Sequence, residues 1–330
     1  MTSATALYNA SVAAFAVSAA DELGLMAELR DGDKVDVDAF AADNGLHPGS
    51  VRALAEPLAD AGVVDVLAAT PLVVTRGPDF DDVWRNKGYL HWLLRGYGDM
   101  LGRAADFCRP EYRDRVDVLR ERDGGAIARA GRDYGGHFVD PVVTEVLDGL
   151  EFGTAIDLGC GSANRVIRLA ARYPDRRFIG VDVDAGAVEV ARAAVAEAGV
   201  GDRVSIVHDD VRALRERPEY PEADLALSFF LGHDFWPRQS CLDTLELVRR
   251  RLPRVRHFLF SDTFRSPGAV SAPVFTLGFE LTHALMGQHV PTRAEWIDLF
   301  EDSVWRLREG NPLGIAHSEI FHLVPRTDGR

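Results

Sequence analysis

Residues 155–170 read AIDLGCGSANRVIRLA, and this stretch predicts how the second half of the chain folds. An apolar run ends in Asp157, a turn with Gly159 and Gly161 follows, and a helical pattern begins at once. Glycines let a backbone turn tightly and approach a ligand closely, and the start of a helix favours anionic groups. Because enzymes that bind nicotinamide dinucleotides share such a turn, the motif by itself does not identify the ligand.

Two further predicted strands end in acidic residues. The stretch RFIGVDVDAG places Asp182 about 20 residues beyond the glycine turn, where a carboxylate can accept both ribose hydroxyls. The stretch VSIVHDD ends in Asp209 and Asp210, at a position suited to an adenine amino group. Because ligands of such sheets meet the carboxyl ends of the strands, these strand ends predict a nucleoside site.

Apolar strands and amphipathic helices alternate beyond residue 150. This alternation predicts an α/β fold, with a mostly parallel sheet and helices on both faces. The tail segments SVWRLREGNPLG and HSEIFHLVPR predict a final antiparallel pair. The strands are predicted at 154–159, 178–183, 204–208, 223–230 and 257–262, and the helices at 163–173, 185–198 and 239–251.

The N-terminal third predicts a small helical module. Residues 8–30 have small and apolar side chains at helical spacing, Gly32 is placed to end that helix, and Asp36 to cap the next one. A further helix and a short hairpin complete a winged-helix pattern. The second helix of this pattern carries Arg52 but also acidic side chains such as Glu56, which would repel DNA phosphates. The module therefore predicts packing or dimerisation rather than DNA recognition.

The composition argues against nucleic-acid-binding, membrane-spanning and disulfide-rich proteins. The chain has 330 residues, 37 basic and 51 acidic side chains, and a formal net charge of −14, which does not suit a protein that grips nucleic-acid phosphates. No stretch approaches the ~20 uninterrupted apolar residues of a membrane span, and the N-terminus lacks the basic region of a signal peptide. Three widely spaced cysteines do not suggest a disulfide framework. We therefore expect a cytoplasmic protein without nucleic-acid or membrane partners.

A histidine and an aspartate follow the fourth predicted strand, in ADLALSFFLGHDFWPRQSC. His233 is placed at the carboxyl end of the sheet, where an imidazole could remove a hydroxyl proton. His233, Asp234 and His283 together form a two-histidine, one-carboxylate set, which can hold non-haem iron with open positions. Neighbouring residues of a strand point to opposite faces, so His233 and Asp234 can bind one metal only if the chain turns there. His283 lies on an apolar helix predicted at 275–287, where a histidine is more often a packed residue.

These motifs resemble those of the class I S-adenosylmethionine-dependent methyltransferases, with Ala163 in place of the third glycine of the family pattern. The resemblance implies that S-adenosylmethionine is the cofactor, with Asp182 on its ribose and Asp209 or Asp210 near its adenine. The N-terminal module resembles the dimerisation domain of small-molecule O-methyltransferases, which implies a homodimer. The residues assigned to the cofactor are Asp157, Gly159, Gly161, Asp182, Asp209, Asp210 and Phe229.

Small-molecule O-methyltransferases carry a stretch similar to residues 233–241, in which the histidine is the general base. Here Phe235 intervenes before Trp236, and Pro237-Arg238 replaces the usual acidic residue. A metal-free O-methyltransferase with His233 as its base is therefore an alternative. A third hypothesis is an acidic winged-helix regulator that binds S-adenosylmethionine without turnover.

The segments GHDFWPR and PVFTLGFE-x-x-H-x-x-MG, in that order, resemble the metal-dependent 2-oxo acid C-methyltransferases. The resemblance implies one iron or zinc ion bound by His233, Asp234 and His283. It also implies methylation at C3 of a 2-oxo acid through a metal-bound enolate, with 4-methyl-2-oxovalerate or phenylpyruvate as the kind of acceptor. Such a product would be a precursor of a β-methyl amino acid in a secondary metabolite, such as an antibiotic.

The same resemblance extends upstream. LHWLLRG points to Trp92 as a wall of the substrate pocket, and RERDGGAI points to Arg122 as the group that holds the substrate carboxylate. With His233 and Asp234, Arg122 completes the predicted catalytic set, and Trp236 and Phe279 are predicted to line the apolar part of the substrate. The predicted domains are a dimerisation domain at 1–100, a helical connector at 101–140 and a cofactor-binding domain at 141–330.

Overall fold

The computed structural model describes residues 3–113, 121–265 and 276–326. Part of the predicted connector and the first residue of the helix predicted at 275–287 lie outside these ranges. The described helices are α1 Ala4–Glu22, α2 Leu25–Asp31, α3 Val37–Asp43, α4 Pro48–Asp60, α5 Phe80–His91, α6 Gly98–Gly102, α7 Ala104–Phe107, α8 Pro110–Arg113, α9 Gly124–Tyr134, α10 Asp140–Asp148, α11 Asn164–Arg172, α12 Ala185–Glu197, α13 Arg238–Arg251, α14 Thr276–Met286 and α15 Arg293–Asp302. The strands are β1 Lys34–Asp36, β2 Val64–Ala69, β3 Leu72–Arg76, β4 Thr154–Leu158, β5 Arg177–Asp182, β6 Val204–His208, β7 Leu225–Phe229, β8 His257–Thr263, β9 Trp305–Pro312 and β10 Ser318–Pro325.

The described residues form two compact units. The first unit contains 3–102 and 121–134, and the second contains 103–113 and the described residues from 135 onward. Helix α9 thus belongs with the N-terminal unit, whereas α7 and α8 belong with the C-terminal one. The sequence assigned all three helices to a single connector at 101–140.

The N-terminal unit contains the expected helices and hairpin. Strands β1, β3 and β2 form a three-stranded antiparallel sheet, and the Asp36 carboxylate caps α3 by accepting hydrogen bonds from two backbone N–H groups at 3.0 and 3.1 Å. The predicted helix at 8–30 is instead two helices. Gly24 adopts a left-handed φ of +85° between α1 and α2, and Gly32 follows the second helix as predicted. No single described helix is long and apolar enough to cross a membrane, and α1 and α2 meet that test only as a pair bent by 74°.

The C-terminal unit is built on a seven-stranded sheet in the order β6-β5-β4-β7-β8-β10-β9. The first five strands of this order are parallel, and β10 and β9 pair antiparallel with β8 and with each other. The α/β fold, the five predicted parallel strands and the antiparallel tail are therefore confirmed. Strands β4 and β7 are buried at every residue and pair in parallel, so their carboxyl ends lie at the same edge of the sheet.

Candidate cofactor and acceptor site

The turn after β4 is built from left-handed residues. Gly159, Gly161 and Ala163 have φ values of +81°, +52° and +62°, and α11 begins directly after them. A Cβ atom at Gly159 would lie 2.7 Å from the end of the Leu231 side chain, which would have to shift, and the backbone angle itself favours glycine there. The Gly159 N–H donates to the Val181 carbonyl at 2.8 Å and ties the turn to β5.

Asp182 ends β5 beside this turn. Its carboxylate accepts hydrogen bonds from the Gly161 N–H at 2.8 Å and the Asp184 N–H at 3.0 Å. These bonds fix the carboxylate at the edge where the sequence predicted a ribose. A carboxylate has about four acceptor positions, so it can accept ligand hydroxyls as well.

The structure separates the two aspartates after β6. The Asp209 side chain is 0% exposed, and it accepts hydrogen bonds from the Tyr220 hydroxyl at 3.0 Å and from the Arg215 and Asp210 N–H groups at 3.2 and 3.1 Å. The Asp210 side chain is 33% exposed and caps the short helical turn that follows. Asp209 therefore holds its own loop together, whereas Asp210 is accessible to a ligand.

A charged cluster lies behind the glycine turn. Asp157 is 1% exposed, and its carboxyl oxygens have no hydrogen-bond partner within the described ranges. Burial raises the pKa of Asp157 to about 6, partly offset by the positive charge of Arg165. The Arg165 guanidinium lies 3.9 Å from the centroid of the Phe229 ring, and its Nε is 3.6 Å from the Asp140 carboxylate. The sequence analysis missed Asp140 and Arg165, although an arginine in the first turn after a glycine-rich loop was a visible signal.

His233 lies on a short helical turn, Gly232–Phe235, directly after β7. The chain therefore turns where two adjacent metal ligands would require it. The Asp262 carboxylate, 0% exposed on β8, accepts hydrogen bonds from the His233 backbone N–H at 2.7 Å and from its Nδ1 at 2.9 Å. Because a carboxylate accepts, Nδ1 carries the proton in the neutral ring and Nε2 carries the lone pair. Sequence reasoning missed Asp262, which lies inside an apolar strand.

His283 meets His233 from a different element. It is 2% exposed on α14, and the two ring centroids are 4.7 Å apart at nearly a right angle. Its Nδ1 donates to the Phe279 carbonyl at 2.7 Å, so the lone pair of the neutral ring is again on Nε2. The Phe279 ring packs on both histidines, with centroid distances of 5.1 and 3.9 Å. The structure thus brings together three predicted site residues that are separated in sequence.

Asp234 lies beside this pair. Its Oδ1 is 3.9 Å from the His233 Nε2 and accepts a hydrogen bond from the Gln288 Nε2 at 2.6 Å. In the described part of the chain, no group of three or more His, Cys, Asp or Glu side chains is arranged to hold a metal ion. The set of His233, Asp234 and His283 therefore stays a prediction, although the protonation pattern of both histidines is the one that metal-binding histidines use.

The predicted substrate residues divide between the two units. In the N-terminal unit, Trp92 packs on Tyr97 with centroids 4.4 Å apart, and Arg122 donates to the Tyr97 hydroxyl at 3.4 Å. In the C-terminal unit, half-buried Trp236 contacts His289 and Trp296 at centroid distances of 4.6 and 5.9 Å. The substrate roles of these residues stay predictions.

Comparisons with known proteins identify the family of this chain. The family described as "Methyltransferase domain" matches residues 155–253. Methyltransferase ungE' of Aspergillus campestris (strain IBT 28561) is 38% identical over 330 residues, covering 96% of this chain and 95% of that protein.

Two solved structures share the fold over nearly the whole chain. Human N-acetylserotonin methyltransferase in complex with SAM superposes with a TM-score of 0.72 at 17% identity, covering 97% of this chain and 96% of that one. The mitomycin 7-O-methyltransferase MmcR superposes with a TM-score of 0.68 at 19% identity, with the same two coverages of 97% and 96%. The full-length relative, the matched domain and the parallel sheet with its glycine turn lead to one conclusion: this chain belongs to the class I S-adenosylmethionine-dependent methyltransferases.

Proposed function

We propose that this methyltransferase methylates C3 of a 2-oxo acid, of the 4-methyl-2-oxovalerate or phenylpyruvate kind. The observation that carries the proposal is the buried contact between His233 and His283, 4.7 Å apart. O-methylation with His233 as the general base needs one histidine and gives His283 no role. Two buried imidazoles beside a carboxylate match the residue types of a two-histidine, one-carboxylate metal set, and a 2-oxo acid could chelate a metal held by such a set.

The cofactor would lie along the edge formed by β4, β5 and β6. Asp182 is proposed to accept the ribose hydroxyls and Asp210 the adenine amino group, while the Gly159–Gly161 turn lets the backbone approach. The methionine end of the cofactor carries an ammonium and a carboxylate. The buried cluster of Asp140, Asp157 and Arg165 offers the complementary charges, so we assign that end to it.

Methyl transfer would be a single displacement. Transfer of a C3 proton to Asp234 or to a solvent water gives the enolate, C3 then forms the new C–CH₃ bond, and the S–CH₃ bond of the sulfonium breaks to leave the thioether. Such a reaction depends mainly on holding the two reacting atoms in line. A bound iron or zinc ion would supply Lewis-acid stabilisation of the enolate. His233, His283 and Asp234 are the residues proposed to hold this ion, and Arg122 is proposed to grip the substrate carboxylate as a bidentate fork.

A second function is favoured by a specific contact. The 2.9 Å hydrogen bond between His233 Nδ1 and Asp262 is the arrangement of a general base supported by a buried carboxylate. Metal-free O-methylation of a phenol-like hydroxyl is therefore the alternative. In it, His233 would take the hydroxyl proton on Nε2 and Asp262 would stabilise the imidazolium.

Metal analysis separates the two functions. We expect protein purified without chelators to hold about one iron or zinc ion per chain, and His233→Ala and His283→Ala to lose both the metal and the 2-oxo acid activity. The control is His47→Ser, because His47 is an exposed residue that caps α4 and serine can keep that cap. Metal-free protein that methylates a phenol, with full activity in His283→Ala, would establish the alternative instead.

A further inference from the structure

We propose that Gln288 is a positioning residue for the acceptor site, which acts by fixing the carboxylate of Asp234. This inference rests on the proposed function, since it takes Asp234 as a residue that meets the acceptor or its metal. The residue has no part in the motifs that led to the site.

The backbone of Gln288 is fixed to the helix that carries His283. Gly287 follows α14 with a left-handed φ of +74°, and its N–H donates to the Ala284 carbonyl at 3.0 Å. The Gln288 N–H donates to the carbonyl of His283 itself at 2.9 Å. This pair of bonds is the usual way to end a helix with a glycine, and it sets where the next side chain starts.

The side chain of Gln288 continues from this fixed point to the other half of the site. Its Nε2 donates to the Asp234 Oδ1 at 2.6 Å, on the same oxygen that lies 3.9 Å from His233 Nε2. Its Oε1 is buried and accepts no hydrogen bond from the described residues. The contact with Asp234 is therefore the hydrogen bond that orients the Gln288 amide within the described chain.

The chemistry of an amide suits this task. The Gln288 Nε2 can restrain the Asp234 carboxylate without neutralising it, whereas a lysine or arginine there would compete with a bound cation for the negative charge. The bond also occupies one lone pair of Oδ1 and leaves the other acceptor positions of the carboxylate for the acceptor or its metal. Gln288 thus connects the His283 backbone to the Asp234 side chain through two short hydrogen bonds.

The test compares Gln288→Leu and Gln288→Glu with a matched control. Gln239 donates to Asp243 at 2.8 Å on the exposed face of α13, so Gln239→Leu removes the same kind of bond away from the histidines. We expect both Gln288 variants to raise the KM for 4-methyl-2-oxovalerate at least tenfold and to lower the metal content per chain. The Kd for S-adenosylmethionine should stay within twofold, and Gln239→Leu should match the unmodified protein in all three measurements.

A double-mutant cycle shows whether Gln288 acts through Asp234. In an Asp234→Asn background, Gln288→Leu should change kcat/KM by less than twofold. If the effects of the two substitutions multiply, or if Gln288→Leu alone leaves KM and metal content unchanged, the proposal is wrong.

Failure of the proposed function would give a different result from failure of the role proposed for Gln288. In that case the unmodified protein would methylate a phenol and no 2-oxo acid, and the same cycle would be run with the phenol. Coupling between the two residues there would keep the positioning role of Gln288 while overturning the 2-oxo acid acceptor. If Gln288→Leu and Asp234→Asn act independently in the cycle run with the phenol, both the positioning role of Gln288 and the 2-oxo acid acceptor are wrong.

Discussion

The buried carboxyl group of Asp157 should make the stability of the ligand-free chain depend on pH. Its pKa rises from 3.8 to about 6 on folding, mainly because of burial. A raised pKa means that the folded state binds the proton of Asp157 more tightly than the unfolded state does. The contribution of this group to the free energy of unfolding is therefore fully present below about pH 4 and is lost as the pH rises through 6. Relative to the natural chain, Asp157→Asn should therefore gain free energy of unfolding between pH 4 and 7.5, by at most about 3 kcal/mol.

Urea denaturation at several pH values measures this difference. Asp202→Asn, which makes the same substitution at a side chain that is 71% exposed, is the control for the general effect of replacing an aspartate with asparagine. A difference for Asp157→Asn that does not change with pH would show that this carboxyl group titrates normally.

Asp182 should contribute directly to cofactor affinity. Asp182→Ala removes a charge-assisted acceptor for the ribose hydroxyls and also frees the Gly161 N–H, so binding of S-adenosylmethionine should weaken by roughly 1.5–3 kcal/mol. Isothermal titration calorimetry gives the Kd directly, and Asp202→Ala should leave it unchanged. An unaltered Kd in Asp182→Ala would remove this residue from the cofactor site.

The two aspartates of the sequence HDD illustrate how far individual residues can be predicted. Their place after a buried strand was visible, because an apolar run that ends in acids signals a strand end. Which of them is accessible to a ligand could not be predicted. The Asp209 carboxylate accepts hydrogen bonds from the Tyr220 hydroxyl and from backbone N–H groups that only folding brings next to it. Asp262 gave no signal, because one acid inside an apolar strand looks the same whether it faces a histidine or solvent.

A side chain at Gly159 should destabilise the glycine turn. A left-handed residue other than glycine costs about 1–2 kcal/mol, and here the added methyl group would also overlap Leu231. Gly199 is a useful control, because it has a φ of +65° and nothing within 4 Å of an added Cβ. Gly159→Ala should therefore lower the free energy of unfolding more than Gly199→Ala, and it should also weaken cofactor binding. Equal losses in the two variants, measured by chemical denaturation, would mean that the Leu231 contact is unimportant.

Helices and strands with a clear pattern of apolar residues could be predicted from the sequence. A break inside such a helix could not. The parallel strands were found to within two residues because each is a short apolar run between turn residues. The sequence predicts one continuous helix at 8–30, because small and apolar residues persist across Gly24. A single glycine inside a helical pattern is often tolerated, and only its left-handed φ of +85° shows that the helix ends there.

The whole molecule should be a homodimer built on α1. Leu7, Tyr8, Val12 and Phe15 are 65%, 72%, 40% and 60% exposed, although all four are apolar or aromatic. Residues 8, 12 and 15 share one face at the spacing of an amphipathic helix, which leaves an apolar stripe that a second copy could cover. Light scattering at micromolar concentration should give roughly twice the 36.2 kDa of one chain.

Substitution on α1 tests whether that stripe forms the interface. Phe15→Asp should shift the protein to the mass of a single chain. Val190→Asp, at a residue that is 58% exposed on α12, should leave it unchanged. A single-chain mass for the natural protein would contradict the prediction.

The position of the new methyl group in the product distinguishes a C-methyltransferase from an O-methyltransferase. The protein is incubated with S-adenosylmethionine labelled with ¹³C at its methyl group, together with 4-methyl-2-oxovalerate, phenylpyruvate or a simple phenol, and each product is examined by NMR. We predict a carbon-bound methyl doublet, coupled to the single hydrogen left at C3, from at least one 2-oxo acid. An oxygen-bound methyl signal, or a methylated phenol with no product from either 2-oxo acid, would contradict the assignment of this protein as a C-methyltransferase.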